Sequence, residues 1–374
     1  MRDRLAIIWT NLGPYHMARI RAAKALFDVR AIELASEERL YRWWRGESDG
    51  HSYTLTQGAW EDQKGLNVAR RLWRLLGDLQ PTVVLVPGYA SLPALCAAAW
   101  GRSHGAKTIL MSESNYEDHP RKTLTELVKR ALVTTLFNGG VVGGKRAASY
   151  LRRLGIPGDK IAGSYDVVDN DYFSSRVARC REEAVPCKGP PYFLFVGRLA
   201  PAKNVSMLIR AHAEYLERGG TWPLVIVGDG PQREQLKEQA APQIRNGAVV
   251  FAGHKNVYEL PVYYAFAGCF VLPSTRESWG LVVNEAMASG LPVIVSSRCG
   301  CADDLVEDGS NGYIVDPYSP NDLAAALGQI SGLSKEQRKR MSERSLAIIG
   351  HYSPERWAKE IQRLAGVLRK KDRR

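Results

Sequence analysis

Residues 270–292 read FVLPSTRESWGLVVNEAMASGLP, and the fold turns on how that stretch is parsed. Its apolar start, Cys269–Leu272, has the length of a short buried strand. A polar loop follows, and a helix begins near Gly280. Glu277 lies in the loop, and Glu285, eight positions on, lies about one turn into the helix. Between them Trp279-Gly280-Leu281 makes a turn whose free N–H groups open the helix. Such an N-terminus carries unpaired donors and a partial positive charge, which suit a phosphate. A carboxylate in the same turn suits sugar or ribose hydroxyls instead. Phosphate donors flanked by two hydroxyl acceptors read as a site for a nucleotide-linked sugar.

The same strand-to-helix unit recurs on both sides. Upstream, the strand 192–197 leads to Gly197, Arg198 and then Lys203, two cations five apart that straddle a turn into a helix. Arginine forks two phosphate oxygens and lysine acts as a point charge, so both suit an anion at a strand's carboxyl end. Further strands are expected at 224–227, 249–252 (leading to Gly253-His254) and 293–296. Gly228-Asp229-Gly230-Pro231 is a strand-to-helix turn, and no Asp-x-Asp pattern is evident there, so no obligatory metal and no cofactor is expected.

The first half alternates in the same way. The apolar run 5–11 ends at Gly13-Pro14-Tyr15-His16, and a helix is expected over 17–27. This opening lacks GxGxxG, so a dinucleotide fingerprint is not supported, while Gly13 would let the backbone approach a phosphate. Strands follow at 83–87, 108–111 and 136–142, with helices at 67–79, 92–101, 122–134 and 144–154. The alternation predicts parallel sheets with right-handed crossovers, an α/β fold of two doubly wound domains. Ser112, Glu113, Asp118 and His119 then sit at a carboxyl end, in the same crevice as Gly13 and His16. The glycine string 139–144 lacks the Lys-Ser/Thr ending of a P-loop and reads as tight strand–helix packing. Residues 161–173 form a strand and polar turn, and the charged, proline-containing run 174–191 shifts composition. The expected domains are 1–175, a linker at 176–190, 191–350, and a C-terminal helix in 351–374 crossing back to the first domain.

The length of 374 residues fits two domains, and 45% hydrophobic with 24% charged residues is the balance of a soluble globular protein. No apolar run reaches the roughly 18–20 residues that span a bilayer, and the N-terminus passes into a strand too short for a signal core. The cysteines at 96, 180, 187, 269, 299 and 301 have no CxxC spacing and read as free cytoplasmic thiols. Residues 1–180 hold 26 Lys/Arg against 18 Asp/Glu, so +8 of the net +12. That excess favours an anionic partner of the first domain: a membrane surface, an anionic acceptor or nucleic acid. The stretches 39–46 and 67–79 mix Arg with Trp and Leu, as either a packed amphipathic helix or a membrane-side contact.

In order and at family-like spacing, the segments 195–204 (FVGRLAPAKN), 227–231 (VGDGP), 251–254 (FAGH), 272–294 and 304–317 (DLVEDGSNGYIVDP) resemble family 4 retaining glycosyltransferases. The resemblance is strong over roughly 190–320 and mainly architectural elsewhere, apart from the turn 165–173 (YDVVDNDYF). It implies the GT-B architecture, two Rossmann-like domains facing a central cleft, with the acceptor bound by the first and the donor by the second.

It further implies catalytic roles for Arg198, Lys203 and Glu277: the two cations neutralise the donor diphosphate and Glu277 grips hydroxyls of the transferred sugar. Gly280 and Leu281 offer backbone N–H groups, Glu285 takes the ribose hydroxyls, and Gly13 approaches the phosphate. His254 lies where the family's loops enclose the nucleobase, and Gly197, Trp279, His16, Glu113, Asp118 and His119 complete the substrate-binding set. Two departures stand out: Asn204 where the family commonly has glycine, and Ser112-Glu113 where many members have a cleft histidine.

The implied activity is metal-independent, hexosyl-type transfer with retention, in bacterial polysaccharide, lipopolysaccharide or glycolipid assembly. The implied partners are a nucleoside-diphosphate sugar, a glycan, lipid-linked or other small acceptor, and anionic membrane at its cytoplasmic face, with no nucleic acid. The alternatives are a sugar-nucleotide epimerase of the same fold, or a non-catalytic binder of nucleotide sugars or nucleic acid. A pure binder has no need of the combined Arg198, Lys203, Glu277 and Glu285 set.

Overall fold

The computed structural model describes residues 2–39, 52–117, 121–183 and 191–370. The chain divides into two compact units, residues 1–167 together with 353–374, and Val168–Tyr352.

In the first unit, strands β1–β7 are Arg4–Trp9, Asp28–Glu33, Ser52–Thr54, Val83–Pro87, Lys107–Ser112, Gly139–Val142 and Ile161–Ala162. Helices α1–α5 are Pro14–Lys24, Gly65–Leu79, Leu92–Ser103, Thr123–Leu136 and Lys145–Arg153. In the second unit, β8–β13 are Tyr192–Val196, Leu224–Val227, Val249–Gly253, Ala267–Leu272, Val293–Ser296 and Gly312–Val315. Its helices α6–α14 are Asn170–Glu183, Val205–Glu217, Arg233–Gln239, Ala241–Arg245, Leu260–Phe266, Leu281–Ala288, Ala302–Leu305, Pro320–Gly332 and Lys335–Ile349. A last helix, α15 (Pro354–Lys370), belongs to the first unit and packs along α1 and β7.

Among the described residues the strands form two sheets, ordered β3-β2-β1-β4-β5-β6-β7 and β10-β9-β8-β11-β12-β13. Every pair is parallel. Each is a doubly wound order, with a switch point where the chain first leaves in opposite directions, at β1/β4 and at β8/β11. Ligands of such sheets bind outside the carboxyl ends there. The expected α/β fold of two Rossmann-like domains is the one observed.

The central strands form because they are apolar throughout and covered on both faces. Leu5–Trp9 and Phe193–Val196 are buried from end to end. Helix α1 starts at Pro14 rather than Met17, because Gly13 caps it and proline's fixed φ suits the first helical position. The apolar face of 67–79 proves to be a core face: Val68, Leu72 and Leu76 are buried, with α2 packed on α3. Arg70, Arg71 and Arg74 are exposed on its outer side, and 40–46 lies outside the described residues. The glycine string serves packing, since a Cβ on Gly140 would lie 2.3 Å from Leu151 Cδ2.

The units meet at Val167/Val168, earlier than the expected linker at 176–190. The charged run after Asn170 is helical because Phe173 and Val177 are buried, and α6 packs on α10 and α11 of the second sheet. Residues 184–190 lie outside the described set. Cys96, Cys180, Cys269, Cys299 and Cys301 are free thiols, and Cys187 is not among the described residues. No described helix is long and apolar enough to cross a membrane.

Candidate active site

In the second unit, two glycine turns interlock at the carboxyl ends of β8 and β9. Gly197 and Gly228 have φ of 158° and 141°. A Cβ on Gly228 would fall 1.9 Å from the Gly197 carbonyl oxygen, so only glycine fits there. Arg198 emerges exposed from the first turn. A single 3₁₀ turn, Pro201–Lys203, follows and ends on Asn204 at φ 57°. The family's glycine is free to adopt that left-handed conformation, and asparagine tolerates it. Here the Asn204 amide also donates to the carbonyls of Pro317 (2.7 Å) and Pro273 (3.3 Å). The departure from glycine thus adds one tie from the Lys203 turn to the loop after β11 and one to the turn after β13.

Those ties bring Lys203 to Glu277. The Nζ of Lys203 forms an ion pair with the Glu277 carboxylate, and Ser274 Oγ donates to the same oxygen at 3.4 Å. Both charges are only partly exposed. The Glu277 backbone is fixed by the neighbouring loop, through Gly300 N–H to Glu277 O at 2.9 Å and Cys301 N–H to Trp279 O at 3.3 Å. Cys299 and Cys301 are buried under it, and burial holds the Cys301 thiol well above its usual pKa, so Cys301 packs rather than reacts.

Trp279 is buried, and its indole N–H donates to Asn284 Oδ1 at 2.9 Å, tying the loop to α11. Gly280, at φ 109°, caps α11, so the helix presents its first N–H groups beside Glu277. One turn on, Glu285 is 1% exposed and accepts a hydrogen bond from Tyr264 Oη at 2.8 Å. His254 is exposed past the end of β10. Lys203, Glu277, Trp279, Gly280, Leu281 and Glu285 therefore form one continuous group, with Arg198 and Gly197 at the head of the same turn.

The first unit holds a second group at the carboxyl end of β1. Asn11 is buried and donates to the carbonyls of Ser36 (2.9 Å) and Ala35 (3.3 Å), while Glu33 accepts from Leu12 N–H at 3.1 Å. This fixes the turn that carries Gly13. The Gly13 N–H donates to His16 Nδ1 at 2.9 Å, so the imidazole keeps its proton on Nε2. Burial and the nearby Arg19 hold His16 well below its usual pKa, and its ring lies 4.8 Å from Trp9.

Arg19 is itself buried, stacked 4.9 Å from the Tyr165 ring and donating to the Tyr165 carbonyl at 3.1 Å. Next to it the Asp166 carboxyl is raised well above its usual pKa by burial and by Glu113, to which it hydrogen-bonds. Glu113 is exposed at the end of β5. Asp118 and His119 lie outside the described residues.

The His16 geometry sets a pH dependence. Above about pH 6.5 the imidazole is neutral in the folded and unfolded chain alike. As pH falls below that, the unfolded chain takes up a proton that the folded chain refuses, so stability drops until the folded pKa is passed. The slope is at most about 1.4 kcal/mol per pH unit from this group. His212, also held low by burial, adds a slope of the same sign. In His16→Gln the amide keeps the bond to Gly13, glutamine being a natural residue at that capping position, but does not titrate. Urea midpoints measured from pH 7.5 to 5.5 should fall less steeply in His16→Gln than in wild type, and equal slopes would refute the assignment.

Sequence reasoning did not pick out Asn11, Glu33, Arg19, Asp166, Tyr264 or Ser274. Each contacts a residue more than two positions away, and no local pattern marks it; only the position of Asn11 at the end of β1 offered a signal.

The model of the family described as Glycosyl transferases group 1 matches residues 179–347. The chain is 35% identical over 188 residues to a D-inositol 3-phosphate glycosyltransferase of Acidothermus cellulolyticus, a match covering 47% of this chain and 40% of that protein. It spans 39–48% of the length of this and similar curated relatives. The match to a GDP-mannose-dependent alpha-(1-6)-phosphatidylinositol monomannoside mannosyltransferase of Mycolicibacterium smegmatis is longer: 31% identity over 278 residues, 70% of each chain. Among solved structures, HepE of Anabaena in complex with UDP superposes with a TM-score of 0.76 at 16% identity, covering 98% of this chain and all of that one. That likeness is one of fold, and the fold is GT-B. Because the match to the mannosyltransferase, at 31% identity, covers 70% of each chain and the family model spans the Lys203–Glu277 group, the chain belongs to the glycosyl transferases group 1 family.

Proposed function

We propose that the chain transfers a sugar from a nucleoside-diphosphate sugar to an acceptor hydroxyl, with retention at the anomeric carbon and without a metal. The observation that carries this reading is the Lys203–Glu277 pair beside the N-terminus of α11. A cation for phosphate, a carboxylate for hydroxyls and a row of backbone donors meet in one turn. The donor diphosphate lies against Arg198, Lys203 and the first N–H groups of α11. Its arrival draws Lys203 toward phosphate and frees Glu277 for the sugar. Glu285 takes the ribose, whose hydroxyl joins or replaces that of Tyr264, and His254 flanks the base.

As the bond from the anomeric carbon to the phosphate oxygen breaks, the acceptor oxygen attacks from the same face and its proton passes to the departing phosphate. No side chain is required as base. The cations and helix N-terminus stabilise the charge that develops on the leaving group.

The first unit binds the acceptor. The neutral His16 offers its Nε2–H, Gly13 lets the backbone approach closely, and Glu113, backed by Asp166, accepts from hydroxyls. The acceptor is a glycan or lipid-linked sugar in glycolipid or polysaccharide assembly. GDP-mannose, which the name of the Mycolicibacterium relative carries, is the first donor to try, with UDP-sugars next.

The test is a thermal-shift and turnover screen of UDP-, GDP- and ADP-sugars on the purified chain, with and without EDTA. One donor class should raise the melting temperature and be consumed, with EDTA indifferent. No shift and no consumption with any donor would reject the reading, and loss of turnover in EDTA would reject its metal independence.

A further inference from the structure

We propose that a cavity at the amino ends of the second sheet is a further binding site, for a soluble anion with a phosphate head on an apolar body, and that its occupancy is coupled to the Tyr264–Glu285 bond. The cavity holds about 550 Å³, the scale of a small-molecule pocket. Pro191 just before β8, Leu291 and Pro292 just before β12, and Ala267 and Gly268 at the start of β11 line it. The Lys203–Glu277 group stands past the carboxyl ends of β8 and β11, a strand's length of roughly 15–20 Å away. The two are separate sites.

Two helices wall the cavity, each with one face. On α6, Ser174, Val177, Ala178 and Arg181 recur at helical spacing. On α14, Lys335, Arg338, Lys339, Ser342 and Leu346 do the same. Val177, Ala288 and Leu291 are buried, whereas Arg181, Lys335 and Lys339 are exposed, so the floor is apolar and the rim cationic.

Among the described residues that line it, Arg181, Lys335, Arg338 and Lys339 meet one carboxylate, Glu343. That carboxylate lies 3.8 Å from Lys339, and a pair between two exposed side chains neutralises little. Arg338 is held over the Trp222 ring at 5.2 Å and donates to the Leu333 carbonyl, and neither partner is an acid. Partial burial lowers the Arg181 pKa with no acid offsetting it. A phosphate supplies the missing charge, and its oxygens suit arginine's fork and lysine's point charge. The apolar floor asks for a body of one or two rings, and the volume is small for a lipid tail.

Both partners of the Tyr264–Glu285 bond sit on helices that end in this cavity. Helix α10 carries Tyr264 and ends at Phe266, α11 carries Glu285 and ends at Ala288, and both end residues line it. Arg181 Nε donates to the Ala265 carbonyl at 2.8 Å, one residue past Tyr264. Ser289, also in the lining, donates to the Glu285 carbonyl through its N–H at 2.9 Å and its Oγ at 2.7 Å. An anion that draws on Arg181 and touches Ser289 therefore acts on both ends of the bond. The coupling, unlike the site, rests on the proposed place of the ribose at Glu285.

The probe is 1-naphthyl phosphate, titrated calorimetrically into the full chain without donor. It should bind about tenfold more tightly than inorganic phosphate. The double variant Lys335→Gln, Lys339→Gln should lose about tenfold, the scale of a charged hydrogen bond, with an unchanged melting temperature, and Lys203→Ala should lose nothing. The site is overturned if wild type does not bind the probe or if the double variant binds it like wild type. It is also overturned if Lys203→Ala abolishes binding, which would put the probe in the donor group, or if dihexanoyl phosphatidic acid binds far more tightly, which would make the ligand a lipid headgroup. Saturating probe should change the affinity for UDP or GDP by about fivefold, the low end of coupling between sites, in wild type and not in the double variant. An unchanged nucleotide affinity overturns the coupling. Probe binding by a chain that binds neither nucleotide would uphold the cavity and sink the donor reading.

Discussion

Lys203→Ala is expected to lower donor turnover by about 10²–10³-fold, the range seen when one preorganised donor to a developing negative charge is removed, about 2.7–4 kcal/mol. The structure pairs this lysine with Glu277. In the proposed donor complex it turns from that carboxylate to the diphosphate. Alanine removes the phosphate contact and also leaves the partly buried Glu277 carboxylate without its countercharge.

The two effects separate in a cycle with Glu277→Gln. If Glu277 acts only as a counterion, the double variant recovers much of the loss. If it grips the sugar, Glu277→Gln carries its own loss in kcat and the double variant recovers nothing. Steady-state kinetics on the four proteins decide it, and near-normal turnover by Lys203→Ala would remove the lysine from the reaction altogether.

Gly300→Ala is expected to destabilise the second unit by roughly 3 kcal/mol, the upper end for overpacking. The effect is steric, not conformational, since Gly300 is not among the residues with left-handed φ. A Cβ there would stand 1.8 Å from the Ser278 carbonyl oxygen and 2.7 Å from its carbon. Both are main-chain atoms, so no rotamer change relieves the clash and the 277–279 segment must move. That segment positions Glu277 and, through the Trp279–Asn284 bond, the start of α11. A variant that still folds should therefore melt earlier and also bind the donor poorly. Calorimetry and donor titration report the two separately, and a wild-type melting temperature would show that the loop yields at little cost.

Much of the fold is legible because its central strands are apolar on both faces. β4, β9 and β12 coincide with their expected runs. The strands that escape are those whose composition misleads: Asp28–Glu33 carries three charges, and Ser52–Thr54 is short and partly exposed. Leu136 reads as strand but ends α4, its carbonyl held at 2.6 Å by Thr108 Oγ1 from another element.

The group around Lys203 and Glu277 is legible for a local reason, since Arg198 with Lys203, and Glu277 with Glu285, each fall within one strand-to-helix turn. The contact between those turns spans 74 positions and is visible only in three dimensions. The same limit separates α2 from α4. Both are helices with apolar residues and arginines or lysines, and only their packing tells that one turns its apolar face inward and the other outward.

The return of α15 to the first unit has a consequence for how the protein is made. Trp357, Ile361, Leu364 and Leu368 are buried, with Leu364 packed where a Cβ on Gly139 would meet it at 3.3 Å. The first unit thus lacks part of its interior until α15 has left the ribosome. The second unit is continuous in sequence and is complete sooner. Residues 1–167 are made before the second unit and α15 after it, so the first unit waits, with an uncovered flank, while the second is completed.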